Sequence, residues 1–281
     1  MLEKRYAGMI GAAIIAAVII WARLFYPTWD YFPPISLVNS LERSWIVTAG
    51  LRDWAFFTYI VFALGLMTLF FSILQRRWAL PAGTKGLLFG MSLGIIWAFG
   101  FLTGWAFLGT SLRAETLNIL IDVVGLSAGG YVVGLVFGRD LPSSAREISR
   151  PRLAVVLVAS GFVAAHKLGT AFLSNLLAET AELLLRPKTL LQYGLLLGLG
   201  VWAGLMFVML RHTLPSRNVM VRSAFFAFGV FGHSWILFHL FFVIEFSGVF
   251  ATMLLTGLIG SVGIFVGIIA YEWTVRERRR F

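Results

Sequence analysis

Eight apolar runs, each about as long as a membrane-spanning helix, occur along this chain. They cover residues 7–26, 54–75, 86–109, 115–137, 152–177, 189–210, 221–246 and 249–273. A helix needs about 20 apolar residues to cross the hydrocarbon core of a bilayer, where only helices and closed barrels satisfy all their backbone amides. The runs lack the strict alternation of barrel strands. The sequence therefore predicts an all-α polytopic membrane protein with eight transmembrane helices.

The composition excludes several other classes of protein. Charged residues make up 13% of the 281 residues and hydrophobic residues 59%, whereas soluble domains carry roughly 25% charged residues. The absence of cysteine excludes disulfides, thiolate metal sites and cysteine nucleophiles. A net charge of +10 would suggest nucleic-acid binding in a soluble protein. Here the basic residues lie in short loops between apolar runs, so we expect the lipid bilayer as partner and no nucleic acid.

The basic residues also predict an orientation. Of the 23 lysines and arginines, 16 fall on one side of the eight predicted spans, six fall on the other side, and Lys167 lies within a span. Cytoplasmic loops carry the excess of lysine and arginine in membrane proteins. We therefore expect a multi-pass protein of the cytoplasmic (inner) membrane with both termini in the cytoplasm.

Short similarities between the two halves predict a tandem repeat. A GxxxG step occurs in the last helix of each half, at Gly130 and Gly134 and again at Gly263 and Gly267. The predicted units are residues 1–141 and 152–281, joined by a polar cytoplasmic linker at 142–151. Because each unit has an even number of helices, the halves would share one orientation about a pseudo-two-fold axis along the membrane normal.

The first half resembles the YagU-like inner-membrane proteins. The resemblance lies in the helix 8–21, the Tyr-Pro-Thr-Trp-Asp-Tyr-Phe-Pro-Pro segment at 26–34, Leu-Arg-Asp-Trp at 51–54, the glycine-rich helix start at 83–90 and Gly-Arg-Asp-Leu at 138–141. It covers roughly residues 8–141, with the second half as a diverged copy. The resemblance implies a cytoplasmic-membrane protein linked to acid tolerance, and it assigns no catalytic residue.

Polar residues within the predicted spans or beside their ends are the candidates for a substrate-binding or proton-coupling site, because ionisable side chains at membrane depth are costly. They are Asp122, His166, Lys167, Asn175, Glu179, His233, His239 and Glu245. Most of them fall in the outer half of the bilayer. The sequence therefore predicts a polar cavity that opens outward between the two repeats.

Asp122 is the best single candidate for proton or substrate coupling, because only apolar residues adjoin it at 119–121 and 123–124. An alternative is structural: Lys167 and Asp122 would form a buried ion pair that fixes helix packing. Both interpretations stay open from the sequence.

The histidines raise the question of a cofactor. His233 and His239 are six residues apart, or about 240° around a helix, so they do not form a two-ligand site on one helix. A bis-histidine haem site formed by His166 with either of them stays open, as does binding of lipid or quinone. Hydrogen bonds from histidines to neighbouring helices are the commoner case. We expect no metal and no resident cofactor.

Glycines at GxxxG spacing predict close helix packing. Packing within the chain is favoured, and partner subunits or a homo-oligomer formed through these faces is the alternative. The segment 40–53 mixes aromatic and charged residues and predicts a helix lying on the outer membrane surface.

Three functions follow from the sequence. The leading one is a permease or channel-like protein for a small solute, proton or lipid. The second is an accessory subunit of a larger membrane complex that binds lipid, quinone or pigment. The third is a membrane-embedded enzyme acting on a lipid. The segment from Glu179 to Arg186 is similar to the glutamate-rich motif of CAAX-protease-like membrane proteins, but its glutamates are not adjacent and the Phe-x-x-x-His motif is absent around His233.

Overall fold

Long helices form most of the structure, a computed structural model that describes residues 8–19 without 9 and 12, then 41–109, 111–139, 150–176 and 189–277. Within these ranges seven helices are long and apolar enough to cross a membrane. They are α1 (Arg52–Leu74), α2 (Ala82–Leu108), α3 (Leu112–Phe137), α4 (Pro151–Leu176), α5 (Leu190–Leu210), α6 (Val219–Glu245) and α7 (Phe250–Glu277).

The last seven predicted spans are therefore confirmed, with starts and ends that differ by a few residues. The first predicted run, 7–26, is helical where residues 8–19 are described, and its remainder lies outside the described residues. The total of eight membrane helices stays a prediction.

Local chemistry explains several helix ends. The side chain of Thr189 accepts a hydrogen bond from the Gln192 amide at 3.2 Å, and the Gln192 side chain accepts one from the Thr189 amide at 3.0 Å, which forms a capping box at the start of α5. Pro151 opens α4, at a position where a missing N–H has no consequence. Gly109 ends α2 with a φ of 70°, a left-handed conformation that favours glycine.

Helix α6 contains a π-helical segment at Phe225–Phe231. A π turn holds one more residue than an α turn, and such widened turns are frequent at functional sites. The Nδ1 atom of His233 donates a hydrogen bond to the carbonyl oxygen of Gly229 at 2.5 Å, because a carbonyl can only accept. This bond satisfies a backbone group of the widened segment.

Glycines bring pairs of helices into backbone contact. In the first half, Gly86 and Gly90 of α2 face Gly130 and Gly134 of α3, and a Cβ atom at any of these glycines would come within about 3 Å of the facing backbone. In the second half, Gly263 and Gly267 of α7 pack against the backbone of α4. Such close approach is how small residues hold membrane helices together without a hydrophobic driving force.

The two matched GxxxG steps thus have different partners. The step in α3 packs against α2, the preceding helix, whereas the step in α7 packs against α4, the first helix of its half. The neighbouring glycines of α3, Gly125 and Gly129, face Ile19 and Ile15 of the N-terminal helical stretch. The similarity of sequence does not carry over into an identical contact, and the duplication stays a prediction.

The segment before α1 is not the single interfacial helix predicted for residues 40–53. It holds a short helix, Trp45–Thr48, capped by the Ser44 side chain, and the chain then turns at Gly50 with a φ of 72°. Its start is attached to the turn between α6 and α7, where the Ser44 amide donates to Glu245 O at 3.0 Å and the Ser247 amide donates to Glu42 O at 3.0 Å.

One end of the bundle, where α1, α3, α5 and α7 end, carries most of the basic residues and is called the basic end below. There the Glu272 carboxylate accepts bonds from Arg211 Nε and Nη2 at 2.8 and 3.0 Å, and Arg222 Nη2 lies 2.6 Å from Glu272 Oε1. The fully buried Lys85 donates to Arg139 O at 2.7 Å. These paired charges and the apolar side chains around them leave this end closely packed.

Candidate functional site

A cavity of about 60 Å³ lies among α2, α4, α5, α6 and α7. Its lining residues come from the last turns of α2 and α6, such as Thr103 and His239, and from the first turns of α5 and α7, such as Leu196 and Thr256. These positions place the cavity in the half of the bundle opposite the basic end. It lies between one helix of the predicted first repeat, α2, and the four helices of the predicted second repeat.

Two histidines from different helices line this cavity, His166 of α4 and His239 of α6. The Nδ1 atom of His239 donates to the carbonyl oxygen of Trp235 at 2.9 Å, so the neutral ring presents Nε2 as an acceptor. His166 is 4% exposed, and its Nε2 atom is buried without a hydrogen-bond partner in the structure. A buried polar atom left unpaired costs roughly 1–3 kcal/mol, so it marks a position where a ligand or water would be stabilised.

Aromatic side chains hold both imidazole rings in place. The ring of Phe162 lies 4.6 Å from that of His166 and 6.2 Å from that of Trp235. Trp235 meets His239 edge to face at 4.3 Å between ring centroids. A continuous series of rings therefore connects α4 to α6, and this packing restricts the rotation of both histidines.

Besides the histidines and the Trp235 indole, the polar side chains of the lining are two threonines. Thr103 Oγ1 donates to Gly100 O at 2.7 Å, and Thr256 Oγ1 donates to Thr252 O at 2.7 Å. Since each hydroxyl has only one proton, both present lone pairs to any further partner.

Gly104, also in the lining, leaves space beside the cavity. A Cβ atom built on Gly104 would have a single neighbour within 4 Å, Glu115 Oε1, at 4.0 Å. Glu115 is buried at 8% exposure, and its other carboxylate oxygen accepts a bond from Asn118 Nδ2 at 3.2 Å. Because Gly104 has no side chain, only a short distance separates the cavity from the Glu115 carboxylate of α3.

The structure separates the two histidines of α6, as the helical spacing predicts. His233 stacks against Phe70 of α1, with 4.8 Å between ring centroids and 29° between planes. His239 faces the cavity instead. The sequence left open which of the two His166 meets, and the structure brings His166 together with His239.

Asp122 and Lys167 do not form the ion pair that the sequence suggested. Asp122 is buried at 2% exposure, while the Lys167 side chain is exposed. On α3, Asp122 shares a face with Gly125 and Gly129, which pack against the N-terminal helical stretch and α1. Asp122 therefore does not line the histidine cavity, because its face of α3 points to other helices.

Glu245 lies at the end of α6 and is 1% exposed. Its carboxylate accepts a bond from Arg52 Nε at 2.8 Å and lies 3.4 Å from Arg43 Nη1. This geometry attaches the segment before α1 to α6. Asn175 falls in the last turn of α4, where side chains lie outside the described part of the chain, and Glu179 lies outside the described residues.

Sequence reasoning missed Thr103, Glu115 and Thr256. The Glu115, Asn118 and Asp122 spacing of three and four residues is a visible signal, since it puts three polar side chains on one stripe of a helix. The two threonines carry no such signal, because their relevance depends on the helices that meet at the cavity.

No protein-family model matches the chain, and no curated protein or solved structure is significantly similar to it. Among the described residues, no three histidine, aspartate or glutamate side chains come together as a metal site would require. Over the described residues, the seven long apolar helices are typical of an all-helical, multi-pass membrane protein.

Proposed function

We propose that this chain is a permease or channel-like protein for a small solute, with the cavity between His166 and His239 as its binding site. The unpaired, buried His166 Nε2 atom in that cavity is the observation that carries the proposal. Ionisable residues buried at membrane depth are costly, and they mark solute and ion pathways in many membrane proteins.

The size of the cavity favours a small solute over the alternatives. A cavity needs about 10–15 Å³ of water-accessible space to hold one water molecule. A cavity of about 60 Å³ therefore matches a solute of a few heavy atoms.

The position of the cavity also supports transport. The excess of basic residues at the opposite end supports a cytoplasmic location for that end, and in this orientation the cavity would lie in the outer half of the membrane. At the basic end Glu272 pairs with Arg211 and Arg222. In the proposed mechanism this group is the inner barrier, because alternating access requires a site that is closed on one side at a time. The π segment of α6, directly before the helix turns that carry His239, is a candidate hinge.

A steric plug tests this function. Gly104→Leu adds a side chain where a Cβ atom meets nothing nearer than 4.0 Å, so the helix can accept it while the cavity is filled. Gly194→Leu is the matched control, because Gly194 is exposed on α5 and a Cβ atom there has no neighbour within 4 Å.

The measurement is stopped-flow swelling of proteoliposomes in a panel of urea, glycerol, formamide and ammonium salts, compared with protein-free liposomes. We expect at least one solute to enter faster with the native chain, this gain to be lost in Gly104→Leu and to persist in Gly194→Leu. Equal rates for native protein and Gly104→Leu, with both correctly folded by circular dichroism, would overturn the proposal.

A further inference from the structure

The polar atoms that face the cavity are mainly hydrogen-bond acceptors. The hydroxyl protons of Thr103 and Thr256 are engaged by backbone carbonyls, and the Nδ1 proton of His239 is engaged by Trp235 O. What these three side chains offer to a ligand are lone pairs. A ligand that only accepts hydrogen bonds, such as a small anion, would meet few donors here.

The strongest nearby donor is directed elsewhere. Trp235 lines the cavity, but its indole Nε1 atom lies 2.7 Å from where a Cβ atom on Gly260 would stand and is buried between α6 and α7. His166 has one ring proton and one lone pair when neutral, and it can place either of them toward a ligand. No lysine or arginine from the described part of the chain lines the cavity.

Aromatic rings complete the lining. Phe107, Trp235, Phe238 and Phe242 border the cavity, and the faces of such rings attract cations through their quadrupole, by about 0.5–2 kcal/mol per contact. The Glu115 carboxylate of α3 lies beyond Gly104, with its Oε1 atom 4.0 Å from where a Cβ atom on Gly104 would stand. Lone pairs and aromatic rings together favour a small positively charged hydrogen-bond donor.

We propose that the solute is ammonium or a small protonated amine such as methylammonium. This assignment rests on the proposed function, and it names the substrate class of the same cavity. Ammonium is about the size of a water molecule and carries four N–H donors, which can meet Thr103 Oγ1, Thr256 Oγ1 and His239 Nε2, while the aromatic rings replace the rest of its hydration shell.

The experiment measures uptake of radiolabelled methylammonium into proteoliposomes, corrected for protein-free liposomes because neutral methylamine crosses lipid unaided. Thr256→Val and His239→Leu each remove one acceptor. The control is Thr274→Val, since Thr274 lies on the same helix, makes the same bond to the carbonyl four residues earlier and does not line the cavity.

We expect native uptake that is competed by ammonium and not by urea or formate. Loss of a hydrogen bond to a charged ligand weakens binding about tenfold or more. Uptake at low methylammonium concentration should therefore fall by about that factor in Thr256→Val and His239→Leu and stay unchanged in Thr274→Val.

The outcomes separate this inference from the proposed function. If a neutral solute enters in a manner that Gly104→Leu blocks, and methylammonium is not taken up, the amine assignment is wrong and the permease proposal stands. If methylammonium enters but both acceptor variants match the native protein, the assignment to these acceptors is wrong. If no solute depends on Gly104, both proposals fail.

Discussion

Replacing Gly267 by alanine tests the backbone contact between α7 and α4 directly. A Cβ atom at Gly267 would lie 2.5 Å from Leu157 O, 2.7 Å from Val158 Cα and 3.0 Å from Leu157 C. All three neighbours are backbone atoms of α4, so no flexible side chain can move aside. The two helices would have to separate along the whole contact formed by Gly161, Gly263 and Gly267.

The magnitude follows from two opposed terms. Overpacking of a close contact costs about 1–3 kcal/mol, and the upper end applies here because the neighbours are backbone. Alanine in place of glycine in a helix returns about 0.5–1 kcal/mol. The net loss for Gly267→Ala is about 2 kcal/mol. Gly194→Ala, at an exposed site where a Cβ atom has no neighbour within 4 Å, should instead gain up to about 1 kcal/mol.

The assay is thermal unfolding in detergent, followed by intrinsic tryptophan fluorescence and far-ultraviolet circular dichroism. For a chain of this size, 1 kcal/mol corresponds to about 2–4 °C in Tm. We therefore expect Gly267→Ala to unfold about 6–12 °C below Gly194→Ala. Equal midpoints for the two variants would show that α4 and α7 do not approach as closely as the structure has them.

Three further substitutions test other parts of the bundle. Glu272→Gln leaves Arg211 and Arg222 without their carboxylate, which should destabilise the fold by about 3–5 kcal/mol in the same thermal assay; an unchanged Tm would contradict a closed basic end. His233→Phe keeps the stack on Phe70 and lies away from the cavity, so the solute concentration that half-saturates uptake should equal that of the native chain, even where the lost bond to Gly229 O changes the maximal rate; a raised half-saturating concentration would place His233 in the binding site. Glu245→Gln removes the charge that pairs with Arg52, whose side chain is 31% exposed, and this should cost about 1–2 kcal/mol of local stability. Amide hydrogen exchange in the segment before α1 should therefore become faster. Unchanged exchange would mean that the backbone hydrogen bonds alone hold this segment in place.

The candidate site shows how far the sequence could lead. Depth along a span follows from counting residues, so the placement of His166 and His239 in the half away from the basic end could be predicted. The rotation of each helix about its own axis depends on its neighbours. Lys167, one residue after His166, is exposed for this reason, and its predicted pairing with buried Asp122 does not form.

The glycine steps show the same limit. Their spacing predicts a close helix contact, and the contacts at Gly130 and Gly267 confirm that role within the chain. The identity of the partner helix was not predictable, because GxxxG describes a smooth surface and not the surface that packs on it. The first step meets α2 and the second meets α4.

By itself the sequence predicted the class of the protein and the approximate positions of seven spans, because the free energy of moving a segment into lipid is a sum over consecutive residues. Only the tertiary structure decided which polar groups meet. Thr103, His166, His239 and Thr256 come from four helices and form one cavity because the aromatic side chains between those helices, and the glycines behind them, fix how far each helix approaches and which way it turns.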